Sequence, residues 1–215
     1  MREIIARAEA HVREAMRHEC TGHDHLHAER VRETALAILR EEGAAADAGF
    51  IELAALLHDI GDAKLTDDAT GPPATAGELV RSWGGGGGLA ERVAIVVGEI
   101  GFKGGFNAPP SSVEAAIVQD ADRLDALGAV GIARAFAYGG KRGQKIFDPG
   151  IPVRSFSDEG DYRRHMGTTV NHFHEKLFRL PQTLHTAAAK RLAMSRVAFM
   201  REFLGRLGEE CGIPL

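Results

Sequence analysis

Apolar residues recur along this chain at three- and four-residue spacing, and no stretch alternates as a strand would. Ile4, Ile5, Ala8, Val12, Ala15 and Met16 fall on one side of a helix expected over 2–18, which Thr21-Gly22 breaks. Val31, Ala35, Ile38 and Leu39 form the stripe of a second helix, which opens near His27, runs to about Glu42 and stops at Gly43. From Phe50 to Leu57 every residue but Glu52 is apolar. Wound as a helix, roughly 47–60, these side chains point nearly all round the axis, so this element is central and buried. Further helices are expected near 75–82, 89–100, 113–127 continuing to about 138, 161–179 and 182–210. The pattern predicts an all-α protein of about seven helices, in a single domain over 1–215, with flexible loops near 84–88 and 139–160. Five glycines, Gly84–Gly88, occupy the first loop; they lack both the strand context of a dinucleotide fingerprint and the lysine of a phosphate loop. The second loop holds Lys141, Arg142, Lys145 and Arg154, and a segment of that length without periodicity is read as either a functional lid or a disordered loop.

Composition narrows the class. With 26 basic against 30 acidic residues the formal charge is -4, which gives no signal for nucleic acid or a membrane surface. No apolar run reaches the roughly 18 residues that span a bilayer, and Met1–Arg17 is too charged for a signal peptide. Cys20 and Cys211 form no metal-binding or redox pair, in keeping with a reducing, cytoplasmic setting. Ten histidines are many for 215 residues, and several are clustered.

The central helix ends in His58-Asp59-Ile60-Gly61-Asp62. Burying an aspartate is costly without a compensating charge, and a bound cation would supply one. His27 at the start of helix two, His58, Asp59 and an aspartate of the long helix would give two imidazoles and two carboxylates, a set suited to a divalent first-row metal. An octahedral ion held so would keep open positions for water and a phosphoryl oxygen. Asp120, Asp122 and Asp125 compete for the fourth place. On a helical wheel Ile117, Ala121, Leu124 and Gly128 centre the apolar face, with Asp125 on its edge, Asp122 just beyond and Asp120 on the opposite flank. Periodicity leans towards Asp125 and leaves the choice open.

His23-Asp24-His25-Leu26-His27-Ala28-Glu29-Arg30-Val31, Ala54–Lys64, Val118–Gly140 and Asn171–Leu180 together resemble the HD-domain metal-dependent phosphohydrolases, in particular the small bacterial nucleotide pyrophosphohydrolase-like branch. The resemblance implies an HD-domain helical bundle and, by position, the metal ligands His27, His58, Asp59 and Asp122. His174 stands where the pattern has tyrosine, and Gly101 where serine is common.

Function is expected to follow. One divalent metal, Mn2+ first and Mg2+, Co2+, Ni2+, Fe2+ or Zn2+ as alternatives, would serve hydrolysis of a nucleoside or deoxynucleoside triphosphate to monophosphate and pyrophosphate. No histidine lies between His58 and Asp122, so a single metal is expected rather than two. His23, Asp24 and Asp62 are candidates for proton relay or support of the ligands. Lys64, Lys103, Arg123, Arg134 and Lys176 are candidates for phosphate contacts, Lys64 also for the chemistry itself. The partner is then a small phosphate ester or nucleotide, and a homodimer is compatible with the chain. The alternatives are a 5'-nucleotidase or phosphodiesterase of the same family, or a non-catalytic nucleotide-binding scaffold.

Overall fold

The computed structural model describes residues 1–61 and 72–213, and among these it is helical with no strand. Ten α-helices follow one another: α1 (Arg2–Ala15), α2 (His25–Glu42), α3 (Ala48–Leu57), α4 (Pro72–Ser82), α5 (Gly87–Ile100), α6 (Val113–Asp125), α7 (Gly128–Lys141), α8 (Glu159–Arg164), α9 (Thr169–Glu175) and α10 (Ala187–Cys211). Two 3-10 segments, Lys103–Gly105 and Leu177–Thr183, join them. The chain forms two compact units: Met1–Gly101 with Ala108–Asp122, and Phe102–Asn107 with Arg123–Leu215.

In the first unit α3 is the hub. Phe50, Ile51 and Leu53 through Leu57 are all buried, against α1, α2 and α5. The Arg92 guanidinium lies 4.3 Å from the centre of the Phe50 ring, so even the first turn of α3 is covered. Asp47 starts the helix by accepting a hydrogen bond from the Phe50 amide at 3.1 Å. The helix stops one residue before its polar end: His58 is the C-cap, and Gly61 at φ +81° turns the chain away.

The glycine run 84–88 has a definite job in this unit. Gly84 adopts φ +87°, and the Gly84 and Gly85 amides donate to the carbonyls of Arg81 and Val80, closing the last turn of α4. A Cβ on Gly85 would meet Val80 at 2.5 Å, and Gly86 is the N-cap of α5. The run therefore ends one helix and begins the next.

The second unit packs α7 against α9 and α10. Phe173 is fully buried and meets the rings of Phe136, Phe178 and Phe203. The single helix expected over 161–179 is instead three pieces. Thr168 accepts from the Asn171 amide at 3.0 Å and starts α9 afresh, and the chain narrows to a 3-10 segment around Pro181. Helix α7 extends through Lys141, which shortens the irregular stretch to 142–158. That stretch is pinned to α9: the Thr169 and Val170 amides donate to Lys145 and Ile146, and the Asn171 amide group donates to Ile151 at 2.8 Å.

Candidate metal centre

Three helix ends of the first unit assemble the centre. Asp24 caps α2 by accepting from the His27 amide at 2.9 Å, which fixes the backbone under His27. His58 and Asp59 follow α3 directly, and Asp122 lies in the last turns of α6. His27 and His58 are buried, while Asp59 and Asp122 are partly exposed.

The side chains converge. His27 Nε2 is 3.1 Å from His58 Nε2, 3.4 Å from Asp59 Oδ2 and 3.5 Å from Asp122 Oδ1. His58 Nε2 is 3.5 Å from Asp59 Oδ1 and 3.6 Å from Asp122 Oδ1. Ligand atoms about 2.1 Å from a common ion stand roughly 3.0 Å apart in neighbouring octahedral positions, so this spacing fits a cation better than it fits direct hydrogen bonding. The tautomer fits as well. His58 Nδ1 lies 2.7 Å from the Ala55 carbonyl, to which it must donate. In the neutral ring the Nε2 lone pair then faces the cluster, as a metal ligand requires. The residues present can hold a divalent metal.

The electrostatics point the same way. Burial pushes the Asp59 carboxyl up, but His58, His23 and His27 outweigh it and hold the group well below the usual carboxylate range. Asp122 is likewise raised by burial and brought well down by hydrogen bonds from His27 and His58. Burial lowers His58, yet Asp59 and Asp122 overcome it and raise its pKa above the ordinary imidazole value. Two ionised carboxylates thus face two imidazoles that share protons unless a cation displaces them. His23 Nδ1 lies 3.0 Å from Asp59 Oδ2. This ring either orients the carboxylate or joins it around the ion, since His23, His27 and Asp59 also form a ligand-spaced group.

The sequence model of the HD domain matches residues 25–127, the stretch that holds His27, His58, Asp59 and Asp122. The protein YpgQ of Bacillus subtilis is 36% identical over 194 residues, covering 89% of this chain and 86% of YpgQ. The chain belongs to the HD superfamily. Solved structures agree. A Lactobacillus plantarum protein is 34% identical with a TM-score of 0.86, over 99% of this chain and 98% of that one. An HD-superfamily hydrolase from Bacillus thuringiensis is 31% identical with a TM-score of 0.71, over 99% of each chain. YpgQ in complex with ADP is 32% identical with a TM-score of 0.73, over 96% of this chain and 94% of that one.

Of the other candidates in this HD protein, Lys103, Arg123, Arg134 and Lys176 belong to the second unit. Asp62 and Lys64 lie outside the described residues. Asp125, the choice favoured by the wheel, is buried in an ion pair with Arg134, whose Nη1 is 2.6 Å from Asp125 Oδ2. Arg123 is buried and donates to the Thr183 carbonyl. Both arginines thus have protein partners where a phosphate was expected. Lys103 sits in the 3-10 turn at φ +38°, and the Lys176 ammonium is 5.4 Å from the centre of the Phe102 ring. In the basic stretch Lys145 pairs with Asp148 at 2.5 Å and Arg154 with Asp161 at 3.4 Å.

Glu175 was not anticipated from sequence. It is buried, and its Oε1 accepts from the Arg154 amide at 3.0 Å and meets His165 Nε2 at 3.1 Å. With Asn171 it forms a buried polar pair four residues apart on α9, and that spacing was the available signal.

Proposed function

We propose that this HD protein is a metal-dependent phosphohydrolase that cleaves nucleoside or deoxynucleoside triphosphates to the monophosphate and pyrophosphate. The convergence of His27, His58, Asp59 and Asp122 carries the hydrolytic part. The nucleotide part draws support from YpgQ, a relative whose crystal structure holds ADP.

The four residues would hold one divalent ion, Mn2+ first, with Mg2+, Co2+, Ni2+, Fe2+ and Zn2+ as alternatives for this donor set. Such an ion supplies Lewis acidity, polarising a phosphoryl oxygen and making water acidic enough to ionise near neutrality. The protein side prepares the site. The Ala55 carbonyl holds the His58 proton on Nδ1, and the Asp24 cap holds His27 in place. His23 keeps its Nδ1 on Asp59, and its ring is partly exposed. In the reaction the water oxygen bonds to the α-phosphorus, and the bond from that phosphorus to the bridging oxygen breaks. Pyrophosphate leaves, and the proton lost by water passes through His23, the assigned relay, to solvent. Lys64, Lys103 and Lys176 are the cations assigned to the phosphate charge.

A nucleotide panel with Mn2+ and chromatographic separation of products tests this. Monophosphate and pyrophosphate in equal amounts are expected. Orthophosphate released only from monophosphates makes the protein a 5'-nucleotidase, and cleavage of a cyclic dinucleotide makes it a phosphodiesterase. Failure to bind any divalent metal leaves the scaffold alternative standing.

A further inference from the structure

The longest helix of the second unit exposes an apolar patch that the fold does not use. On its inner side α10 buries Ala188, Ala189, Ala193, Met200 and Leu204. Its outer side is not simply polar. Met194 is 74% exposed, more than any other large apolar side chain among the described residues, and Leu192 and Phe199 are exposed on the same helix. Ala198 lies exposed between them. The Ser195 hydroxyl donates to the Leu192 carbonyl at 3.2 Å, so its polarity is turned back into the helix. Further along the face stays open, for a Cβ on Gly205 would meet nothing within 4 Å. At 100° per residue, Arg191, Ser195, Ala198 and Glu202 follow one line down the helix, with Met194 on one flank and Leu192 and Phe199 on the other. Single exposed apolar residues are ordinary; three of them grouped around small residues on one helix face form a patch, and patches mark contact surfaces.

The charges at the two ends of the patch select what covers it. Arg191 and Glu202 are both exposed. They stand eleven residues apart, about three turns and roughly 16 Å along nearly the same side of the helix. A second α10 laid parallel in register would set Arg191 on Arg191 and Glu202 on Glu202. Laid antiparallel about a two-fold axis midway between them, it sets Arg191 on Glu202 of the second copy, and symmetry forms the same pair again at the other end. That register also brings Ser195 opposite Ala198 of the second copy, where two small side chains let the helices approach, and it covers the apolar flanks. We propose that this face of α10 binds a second copy of the same chain as an antiparallel helix pair, with the two-fold axis between Arg196 and Val197. Glu202 already holds Arg206 at 3.1 Å within its own helix, so the added Arg191 completes a three-membered charge network. One helix face is smaller than the roughly 800 Å² per partner of a standard interface, and dissociation is accordingly in the micromolar range. The inference needs neither the metal centre nor the nucleotide.

The test is analytical ultracentrifugation of the full chain from low to high micromolar concentration, with reductant present because Cys20 and Cys211 are both exposed. The wild type is expected to pass from monomer to dimer over that range. Arg191→Glu and Glu202→Arg each set like charges face to face twice per dimer, and each should weaken association by about tenfold or more. The double variant with both changes restores the pairing and should return to within a few-fold of wild type. Met194→Asp, at a position already open to water, should also weaken the dimer by about tenfold or more, because it carries an unpaired charge into the contact. Thermal melts of the dilute variants confirm that each is folded. A wild type that stays monomeric at every concentration overturns the proposal. So does a dimer that all three single variants leave intact, since the contact then lies elsewhere. Weakening by both charge changes without recovery in the double variant overturns the antiparallel register, and growth beyond a dimer overturns the two-fold.

Discussion

Asp122 and Asp125 stand three residues apart on α6 and offer a clean separation of roles. Asp122 Oδ1 lies 3.5 and 3.6 Å from the two histidine nitrogens, whereas Asp125 Oδ2 is 2.6 Å from Arg134 Nη1. The side chains of Arg134 and Asp125 are only 12% and 7% exposed, so Asp125→Asn leaves a buried guanidinium without its counter-charge. Breaking such a pair costs about 3–5 kcal/mol. The lower end suits a pair that still touches solvent, and for a chain of this size it corresponds to a fall of roughly 6–12 °C in melting temperature. Metal content should be unchanged. Asp122→Asn should do the opposite. Loss of a residue that merely supports a ligand already costs 10–100-fold in metal affinity, so loss of a ligand should exceed about 100-fold. Its melting temperature in EDTA should move less than that of Asp125→Asn. The assays are Mn2+ titration, metal content by mass spectrometry, and thermal melts with and without EDTA. Retention of metal by Asp122→Asn together with its loss from Asp125→Asn would refute the assignment and restore the helical-wheel choice.

Three further outcomes are expected. In EDTA, the raised pKa of His58 contributes stability that is full below the ordinary imidazole value and is lost as pH rises through the folded value; with Mn2+ the trend should reverse, because only neutral histidines bind metal. Identical pH slopes of the melting temperature in the two conditions would count against a metal at His58. At acid pH the depressed Asp59 and Asp122 contribute stability that is present above the ordinary aspartate value and disappears as pH falls through their lower folded values, so Asp59→Asn should flatten the acid limb of apo-protein melts. Gly61→Ala forces a left-handed conformation, at about 1–2 kcal/mol, and places a Cβ 2.5 Å from Thr75 Oγ1; Mn2+ affinity and melting temperature should both drop, and wild-type values for both would show that the turn after Asp59 tolerates a side chain.

Much of this was legible in the chain itself. Apolar spacing placed α2 and α5 closely, and the all-round apolar run identified α3 as the buried hub. The reason is physical: burial of a helical face dictates its period, and a helix buried on every side has none. Order along the chain also brought His27, His58-Asp59 and the α6 aspartates into consideration as one set. Where several residue types could satisfy the same pattern, sequence spacing failed. The break at Thr168 was hidden because a capping threonine looks like any polar helical residue until its side chain is seen on the Asn171 amide. The glycine run 84–88 read as flexibility, yet one glycine turns left-handed and another avoids Val80, which makes it a junction between helices.

The sequence by itself determined the helical class, the hub and the kinds of ligand available, because hydrophobic period and residue chemistry are local properties. Helical periodicity left Asp122 and Asp125 open and the family resemblance pointed to Asp122; only the tertiary structure shows what stands opposite each carboxylate. For one it is a pair of imidazoles, for the other an arginine nine residues further on. It alone also set the His58 tautomer, through a carbonyl one turn back, and the tight seat of Tyr162 against Gly104. Such facts depend on distances between side chains, which a one-dimensional pattern does not contain.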